Sequence, residues 1–256
     1  MPSPVSTDQS EIIDWEQADN RRFTIEYTAP ALTRAIGPPS AGGRVLSVGC
    51  GVGADVEALW ELGWDAHGIE PGYRQADWAR RRCPDRLVQG DGRDLPFEDA
   101  SFDAITSYGV IEHVGAIGDA VEVHPDVWRQ RAQYARELTR VLRPGGIMLL
   151  STPNRLFPAD FFHSPNRFGM RWHSPKEDFS VSYGDFERLF IDMAGNRCLR
   201  HLSLDGAFVF RRTTEHLWGK VLVPPARRVM RLMGVPWLKP LARSPINPFL
   251  IVEVTK

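Results

Sequence analysis

Glycines and carboxylates follow several short apolar runs in the first half of the chain, where they could bind a ligand. Gly49-Cys50-Gly51-Val52-Gly53 follows the run Arg44–Val48, Glu70-Pro71 ends a second run, and Asp91-Gly92 ends a third. Glycines let the backbone approach a ligand closely and point amide N–H groups at it. A carboxylate placed like Glu70 can accept both hydroxyls of a ribose, and Asp91 could accept from an adenine amino group. The pattern predicts a site for an adenosine-containing cofactor.

Each of these signals has another explanation when it is taken alone. Gly49-x-Gly51-x-x-Ala54 also satisfies the dinucleotide fingerprint, so NAD remains a candidate. The glycine run alone could be a tight turn, and Glu70 could be a solvated loop acid. Asp91 could be an ordinary turn residue, because it precedes a glycine.

Three histidines are candidates for the general base of a reaction. His113, which follows the apolar run Phe102–Ser107, is the first choice, because its titration range suits neutral pH. It could instead anchor the loop, and Glu112 could either orient His113 or contact the cofactor. His163 and His173, in a long later insertion, are the alternatives. Asp160, His163 and His173 could in principle bind a metal, but no tight ligand spacing supports this, so we predict no metal site.

Apolar runs alternate with helical patterns from residue 44 onwards, which predicts βαβ units. The expected α/β fold is a Rossmann-like, doubly wound sheet with helices on both faces. Right-handed crossovers would bring the carboxyl ends of its strands, and the residues named above, to one edge. The predicted strands are Arg44–Val48, Asp65–Glu70, Leu87–Asp91, Phe102–Ser107 and Ile147–Ser151. The predicted helices are Ala54–Leu62, Arg74–Arg82 and Pro125–Leu142.

The length of 256 residues suits one domain of this class. We predict a single domain with five segments along the chain. These segments are a helical cap 1–40, a cofactor-binding core 42–155, a lid insertion 154–180, a basic insertion 205–246 and a last strand 247–256.

Composition excludes several classes of protein. A hydrophobic fraction of 43% argues against a disordered chain, and three cysteines are too few for a disulfide framework or a zinc site. No apolar run is long enough to span a membrane, and the N-terminus lacks the pattern of a secretory signal. A cytoplasmic location is therefore expected.

The net charge of −1 conceals an uneven distribution of charge. Residues 206–256 contain nine Lys and Arg against two Asp and Glu, whereas residues 1–205 contain 22 against 30. The stretch 211–243 is basic and carries tryptophans, so it could lie on an anionic membrane surface. It could equally cap a substrate pocket or form a helical cap with a solvated basic face. No nucleic-acid-binding module is present, so no nucleic-acid partner is predicted.

The motifs occur in a recognisable order along the chain. The set closely resembles the class I S-adenosylmethionine-dependent methyltransferases, in particular the group that modifies quinones, lipids, sugars and polyketides, over roughly residues 42–155. The motifs that carry the resemblance are Val45–Gly53, Glu70, Asp91, Leu95–Ile105, Ile111–Val114 and Leu138–Gly146.

The resemblance implies a sheet of seven strands, mostly parallel, whose last strand is antiparallel, and Pro248–Val254 is the candidate for that strand. It places the glycine loop around the methionine part of the cofactor, Glu70 at the ribose, and Asp91 with Gly92 at the adenine. Ser107 and Tyr108 would flank the sulfonium. The full set of expected cofactor-binding residues is Ser47, Gly49, Cys50, Gly51, Gly53, Glu70, Pro71, Asp91, Gly92, Ser107 and Tyr108.

One residue departs from the family pattern. The family usually has an acid at the position of Ser47, where it helps orient the glycine loop and the cofactor's amino group. Asp55, early in the following helix, is the candidate to substitute for it in part.

The expected activity is methyl transfer from S-adenosylmethionine to an oxygen of a small-molecule or lipid-like acceptor, with S-adenosylhomocysteine as the product. Methylation of carbon or nitrogen is the first alternative. An NAD-type oxidoreductase and a catalytically silent cofactor-binding partner protein are the others. Ser107-Tyr108-Gly109-Val110 lacks the Pro-Pro-aromatic motif of enzymes that methylate amino groups in DNA.

Overall fold

The fold is described from a computed structural model. It describes residues 17–72, 75–118, 121–160, 162–163, 171–204, 207, 224, 228 and 239–256. Among the helices in this part of the chain, none is both long and apolar enough to cross a bilayer. Most of the predicted basic insertion 205–246, and with it the proposed membrane contact through 211–243, lies outside the described residues.

Seven strands form one sheet in the order β3-β2-β1-β4-β5-β9-β8. Strands β1 to β5 are parallel, while β9 runs antiparallel to its neighbours β5 and β8. This arrangement confirms the predicted fold class. The strands are β1 (Arg44–Val48), β2 (Asp65–Glu70), β3 (Leu87–Gln89), β4 (Phe102–Tyr108), β5 (Leu142–Pro153), β8 (Cys198–His201) and β9 (Phe249–Thr255). Two further strands, β6 (Ala159–Asp160) and β7 (Arg171–Trp172), pair with each other in the predicted lid.

Helices cover both faces of the sheet, as the near-continuous apolar strands require. On one face, Tyr134 and Leu138 of α4 (Val127–Val141) share an apolar cluster with Leu46 of β1. On the other face, residues of α1 (Ala29–Ile36) and α2 (Ala54–Glu61) share a cluster with the neighbouring Val45. Successive strand residues point to opposite faces, which accounts for this division. The helices are α1 (Ala29–Ile36), α2 (Ala54–Glu61), α3 (Gln75–Trp78), α4 (Val127–Val141), α5 (Tyr183–Phe186) and α6 (Lys239–Ala242).

The N-terminal helix is longer than α1 itself. Residues 17–23 are helical and continue through a π-helical turn, Thr24–Thr28, directly into α1. A second π-helical turn, Glu187–Met193, continues α5. The first turns of this helix reach the edge of the sheet where β1 and β4 end, since Asn20 and Phe23 line a cavity together with Gly49 and Tyr108.

Several elements differ from the sequence-based expectation. Strand β5 covers Leu142–Pro153 rather than Ile147–Ser151, β3 ends at Gln89 rather than Asp91, and the short strands β6 and β7 were not predicted. Of the predicted helix Arg74–Arg82, the described residues 75–82 are α-helical only over Gln75–Trp78, and the backbone N–H of Arg82 donates to Glu57 of α2 at 2.7 Å. Strand β8 was not predicted. It is four residues long and lies at the edge of the sheet, where the alternation of apolar and polar residues is too short to be informative.

The order of the strands reverses between β1 and β4. Ligands of open α/β sheets bind in the crevice outside the carboxyl ends of the strands at such a point. Gly49, which follows β1, and Gly109, which follows β4, therefore mark the place to look for the site.

Candidate active site

Three cavities lie along this edge of the sheet and share lining residues. The strand-end cavity has a volume of about 250 Å³ and lies beside Gly49, Pro71, Asp91 and Gly92. The glycine-loop cavity, of about 70 Å³, also contacts Gly49. The apolar cavity, of about 350 Å³, shares three residues with the glycine-loop cavity. These three are Asn20, Phe23 and Tyr108.

The glycine loop adopts a backbone conformation that other residues resist. Gly49 has φ of +77°, and a Cβ there would lie 2.3 Å from Val110. Gly53, with φ of +76°, precedes α2 and would bring a Cβ to 2.7 Å from Leu87. Glycine is therefore required at both positions by the backbone conformation and by the packed side chains of Val110 and Leu87.

Glu70 holds this loop in place. Its Oε2 atom accepts a hydrogen bond from the backbone N–H of Gly51 at 3.0 Å, and Glu70 is only 6% exposed. Trp78 closes the loop from the other side, because its indole N–H donates to the Gly51 carbonyl at 2.8 Å. Pro71, the next residue after Glu70, lines the strand-end cavity.

Ser47 and Asp55 form a pair behind the glycine loop. The Ser47 hydroxyl donates to Oδ2 of Asp55, and both residues line the glycine-loop cavity. The Oδ1 atom of Asp55 is buried and has no hydrogen-bond partner among the described residues. Burial raises the pKa of Asp55 to about 6, although the hydrogen bond from Ser47 opposes this rise. An acid thus reaches the place where the family pattern has one, from eight residues further along the chain.

Asp91 lines the strand-end cavity but is already paired. Both of its carboxylate oxygens accept from the Arg93 guanidinium, at 3.0 Å from Nε, and one accepts from the Arg93 backbone N–H at 2.8 Å. The Arg93 hydrogen bonds hold the pKa of Asp91 below its usual range, so its carboxylate stays charged. Gly92 and Arg93 also line this cavity.

The remaining expected cofactor residues divide between cavity wall and core. Cys50 and Tyr108 line the glycine-loop cavity, and the Tyr108 hydroxyl lies 3.1 Å from that of Thr28 in the N-terminal helix. Ser107 is buried instead, with its hydroxyl 2.6 Å from that of Tyr134 on α4. Tyr134 in turn lines the strand-end cavity, so Ser107 reaches that wall through its partner.

Two of the three candidate bases lie together, beside the apolar cavity. The Nε2 atoms of His113 and His163 are 3.2 Å apart, and His163 lines the apolar cavity together with Glu112. Asp160 accepts from Nδ1 of His163 at 2.8 Å. His173 does not join them: its Nδ1 lies 3.4 Å from the backbone oxygen of its neighbour Ser174.

Glu112 and Asp160 are both buried, but their environments differ. Burial raises the pKa of Glu112 to about 7, and its Oε2 atom has no hydrogen-bond partner among the described residues. Burial also acts on Asp160, but hydrogen bonds from the His163 ring and the Phe162 backbone outweigh it and hold the pKa of Asp160 below its usual range. Asp160 therefore stays charged at neutral pH, whereas Glu112 is partly protonated there.

Sequence reasoning missed the contribution of the N-terminal helix. Asn20 and Phe23 line both the glycine-loop and the apolar cavities, and Asp19 lines the apolar one. Nothing in their spacing marks them, because they come from a helix that precedes the strand pattern. The position of Asp160, three residues before His163, was the available signal for the Asp160–His163 pair.

Comparison with known proteins supports the same reading of the strand ends. Residues 46–150 match the family model for a methyltransferase domain. A probable S-adenosylmethionine-dependent methyltransferase of Mycolicibacterium smegmatis is 35% identical over 117 residues, which are 45% of this chain and 40% of the relative. A ubiquinone biosynthesis O-methyltransferase of Methylocella silvestris is 33% identical over 129 residues, 48% of this chain and 45% of that protein. The chain thus spans less than half the length of these two relatives.

The fold is also that of a solved structure. The crystal structure of an S-adenosylmethionine-dependent methyltransferase from Mesorhizobium loti superposes with a TM-score of 0.51 at 18% sequence identity. The match covers 89% of this chain and 96% of that one. At this identity the similarity concerns the fold alone.

Proposed function

We propose that this protein, whose residues 46–150 form a class I S-adenosylmethionine-dependent methyltransferase domain, methylates a hydroxyl oxygen of a small-molecule or lipid-like acceptor. One observation carries the proposal: the glycine-loop cavity shares Asn20, Phe23 and Tyr108 with an apolar cavity that His163 lines. His113, 3.2 Å from His163, lines the neighbouring strand-end cavity. A cofactor at the glycine loop and an acceptor in the apolar cavity would meet at Tyr108.

The residues present fit S-adenosylmethionine. Gly49 and Cys50 line the glycine-loop cavity, where the methionine part would lie, and the unpaired Oδ1 atom of Asp55 offers an acceptor to a cationic amino group. Pro71, Asp91 and Gly92 would surround the ribose and adenine in the strand-end cavity. When bound, the cofactor supplies a methyl group that its sulfonium already activates.

The protein's own part in the reaction is to hold the acceptor and take its proton. Phe23, Phe162 and Phe249 give the apolar cavity an aromatic wall, and its volume of about 350 Å³ suits a small apolar body. Asp160 accepts a hydrogen bond from Nδ1 of His163, which directs the Nε2 atom of this ring towards His113. We assign His113 and His163 jointly as the candidate general base, since their Nε2 atoms are 3.2 Å apart.

The test has a binding step and a transfer step. Titration calorimetry with S-adenosylhomocysteine and, separately, with NAD should show tight binding of the first alone. Methyl transfer to a panel of phenols, hydroxylated quinones and hydroxylated lipids should then identify an O-methylated product by mass spectrometry. Tighter binding of NAD would contradict the cofactor assignment, and a product methylated only on carbon or nitrogen would contradict the choice of oxygen.

The base is tested by His113→Ala. Turnover should fall about 100-fold or more, while the affinity for S-adenosylhomocysteine stays near that of the parent protein. His173→Ala is the matched control, because His173 lies outside the histidine pair. Unchanged turnover in His113→Ala would remove this residue from the role. Cofactor binding without transfer to any acceptor would favour the silent partner protein.

Membrane contact through 211–243 stays a prediction. Sedimentation with anionic liposomes that weakens as salt rises would support it, because screening weakens attraction between exposed charges. The absence of sedimentation at low salt would contradict it.

A further inference from the structure

We infer that Glu112, His113 and His163 form a binding site for a divalent transition-metal ion beside the apolar cavity, which Glu112 and His163 line. Each residue offers one ligand atom, and these atoms all lie within 4.8 Å of one another. The residues come from the segment after β4 and from the lid, so only the fold brings them together. The spacing of these three residues in the sequence does not indicate a metal site.

The separation of the two imidazoles matches the metal chemistry. Zn–N bonds measure about 2.0–2.1 Å, so two nitrogens on one tetrahedral zinc ion lie about 3.3–3.4 Å apart. The Nε2 atoms of His113 and His163 are 3.2 Å apart. A single shared proton would also hold two imidazoles at this distance, and a hydrogen bond between them is therefore the competing explanation.

Glu112 favours the metal over that hydrogen bond. Its side chain is buried, with the residue 1% exposed, and its Oε2 atom has no hydrogen-bond partner among the described residues. The nearby cation Arg131 does not pair with this carboxylate, since its guanidinium donates to the backbone carbonyl of Glu112 at 3.0 Å. Burial of a charged carboxylate is unfavourable when one of its oxygens lacks a partner, unless the group takes up a proton. A cation bound by both histidines would supply the missing partner.

Asp160 orients His163 by a hydrogen bond to the ring nitrogen that faces away from the proposed ion. Histidines that bind metals usually donate their other ring N–H to a carboxylate or carbonyl, which fixes the tautomer and the ring orientation. Asp160 does this to His163, with Oδ2 at 2.8 Å from Nδ1. Its Oδ1 atom accepts from the backbone N–H groups of Phe162 and His163 at 2.8 and 3.1 Å, which holds the carboxylate in place. The Nε2 lone pair of His163 is thereby presented to the cluster.

The ligand set indicates the class of metal and its task. Two imidazoles and one carboxylate suit zinc and its neighbours in the first transition row, and three protein ligands leave a coordination position open. Glu112 and His163 line the apolar cavity, so this position would face the acceptor. The assignment of a task rests on the proposed methyl transfer but replaces its histidine base, because Nε2 atoms bound to an ion cannot accept a proton. The acceptor hydroxyl oxygen would bind the ion, which lowers its pKa, and its proton would leave to water.

The site is tested by metal binding rather than by activity. Zn²⁺ is titrated into the chelator-treated, untagged full chain, in a Cys198→Ser background because Cys198 is an exposed thiol. We expect one ion per chain in the parent and a loss of affinity of at least about 100-fold in His163→Ala. Glu112→Gln preserves the buried shape and should give a similar loss, whereas Asp160→Asn should weaken binding about 10- to 100-fold. His173→Ala should bind like the parent.

Co²⁺ gives a second readout. Its visible absorption should show a four- or five-coordinate site in the parent, and this absorption should disappear in His163→Ala. No saturable one-to-one binding to the parent, or equal binding in His163→Ala and the parent, would overturn the inference in favour of a simple hydrogen bond.

The outcomes for the metal and for the proposed function can be separated. Methyl transfer by chelator-treated protein, together with an absence of metal binding, would overturn the metal site and leave the proposed function standing. Metal binding that depends on His163, without methyl transfer to any acceptor, would support the site and contradict the proposed function.

Discussion

Replacing Asp55 by Asn should stabilise the free protein while weakening cofactor binding. Asn preserves the size of the side chain and still offers an oxygen to the Ser47 hydroxyl. It removes only the negative charge, which burial in the wall of the glycine-loop cavity disfavours. The two expected effects have opposite signs, and simple damage to the structure would not produce that combination.

The stability effect follows from the raised pKa of Asp55, which moves from 3.8 to about 6. The folded protein favours the protonated carboxyl, so it loses stability as pH rises through this interval and does not regain it above pH 6. One pKa unit corresponds to about 1.4 kcal/mol, which gives a cost of roughly 3 kcal/mol at neutral pH. Asp55→Asn should therefore be more stable than the parent at pH 8 by up to about 3 kcal/mol, and nearly equal to it at pH 4.

The binding effect follows from the unpaired Oδ1 atom of Asp55. A hydrogen bond to a charged partner contributes about 1.5–3 kcal/mol, so losing the charge should weaken binding of S-adenosylhomocysteine by about 10- to 100-fold. In the parent, protonation of Asp55 below pH 6 should have the same consequence, with affinity about tenfold lower at pH 5 than at pH 8. The nearby carboxylate of Glu70 contributes to the raised pKa of Asp55 and remains in the variant.

The assay combines denaturant unfolding with calorimetric titration of S-adenosylhomocysteine, each between pH 4.5 and 8. Asp85→Asn is the control, because it removes the same charge from an exposed 3₁₀ turn before β3. A less stable Asp55→Asn protein, or one that binds the cofactor product as tightly as the parent does, would refute the reasoning.

Three further changes have predictable effects. Arg131→Met should lower the free energy of unfolding, measured by urea denaturation, by about 3 kcal/mol or more. The buried guanidinium donates to four backbone carbonyls, which would lose their donors in this variant. A loss below about 1 kcal/mol would contradict this. Gly49→Ala should abolish binding of S-adenosylhomocysteine in calorimetry and lower the free energy of unfolding by about 1–3 kcal/mol. The reason is that φ is +77° and the new Cβ would lie 2.3 Å from Val110. A variant that binds normally would show that the loop tolerates a side chain. Burial, together with the nearby Arg243 guanidinium, lowers the pKa of His201 to about 4. The folded protein should therefore lose stability as pH falls from 6.5 towards 4, because the unfolded chain binds the proton more readily. In pH-dependent thermal unfolding, His201→Gln should lose less stability than the parent over that range.

Much of the fold could be predicted because its signals are local. Short apolar strands alternating with helices predict a doubly wound sheet, and the amphipathic pattern of α4 predicts where that helix packs. Turn chemistry also acts locally, which is why the glycine run after β1 was found. The prediction failed for β8 and for the end of α3, because these elements depend on partners that are distant in sequence.

The candidate site shows the same limit more sharply. The types of residue at the strand ends were evident, but their partners were not. Asp91 is paired with Arg93, and Ser107 turns to Tyr134 in the core, because side-chain direction depends on the packed neighbours. The sequence suggests Asp55 as a partial substitute for the acid that is missing at Ser47. In the structure, the Asp55 carboxylate accepts a hydrogen bond from the Ser47 hydroxyl.

The sequence by itself determined the class of sheet, the glycine loop and the edge at which a ligand would meet them, because each depends on residues near one another in the chain. Only the tertiary structure decided which histidines act together. It brought His163 of the lid to 3.2 Å from His113, left His173 apart, and buried Glu112 beside the pair. The reason is physical: the lid folds back over the strand ends through contacts fifty residues apart in sequence, and no local pattern encodes such a contact.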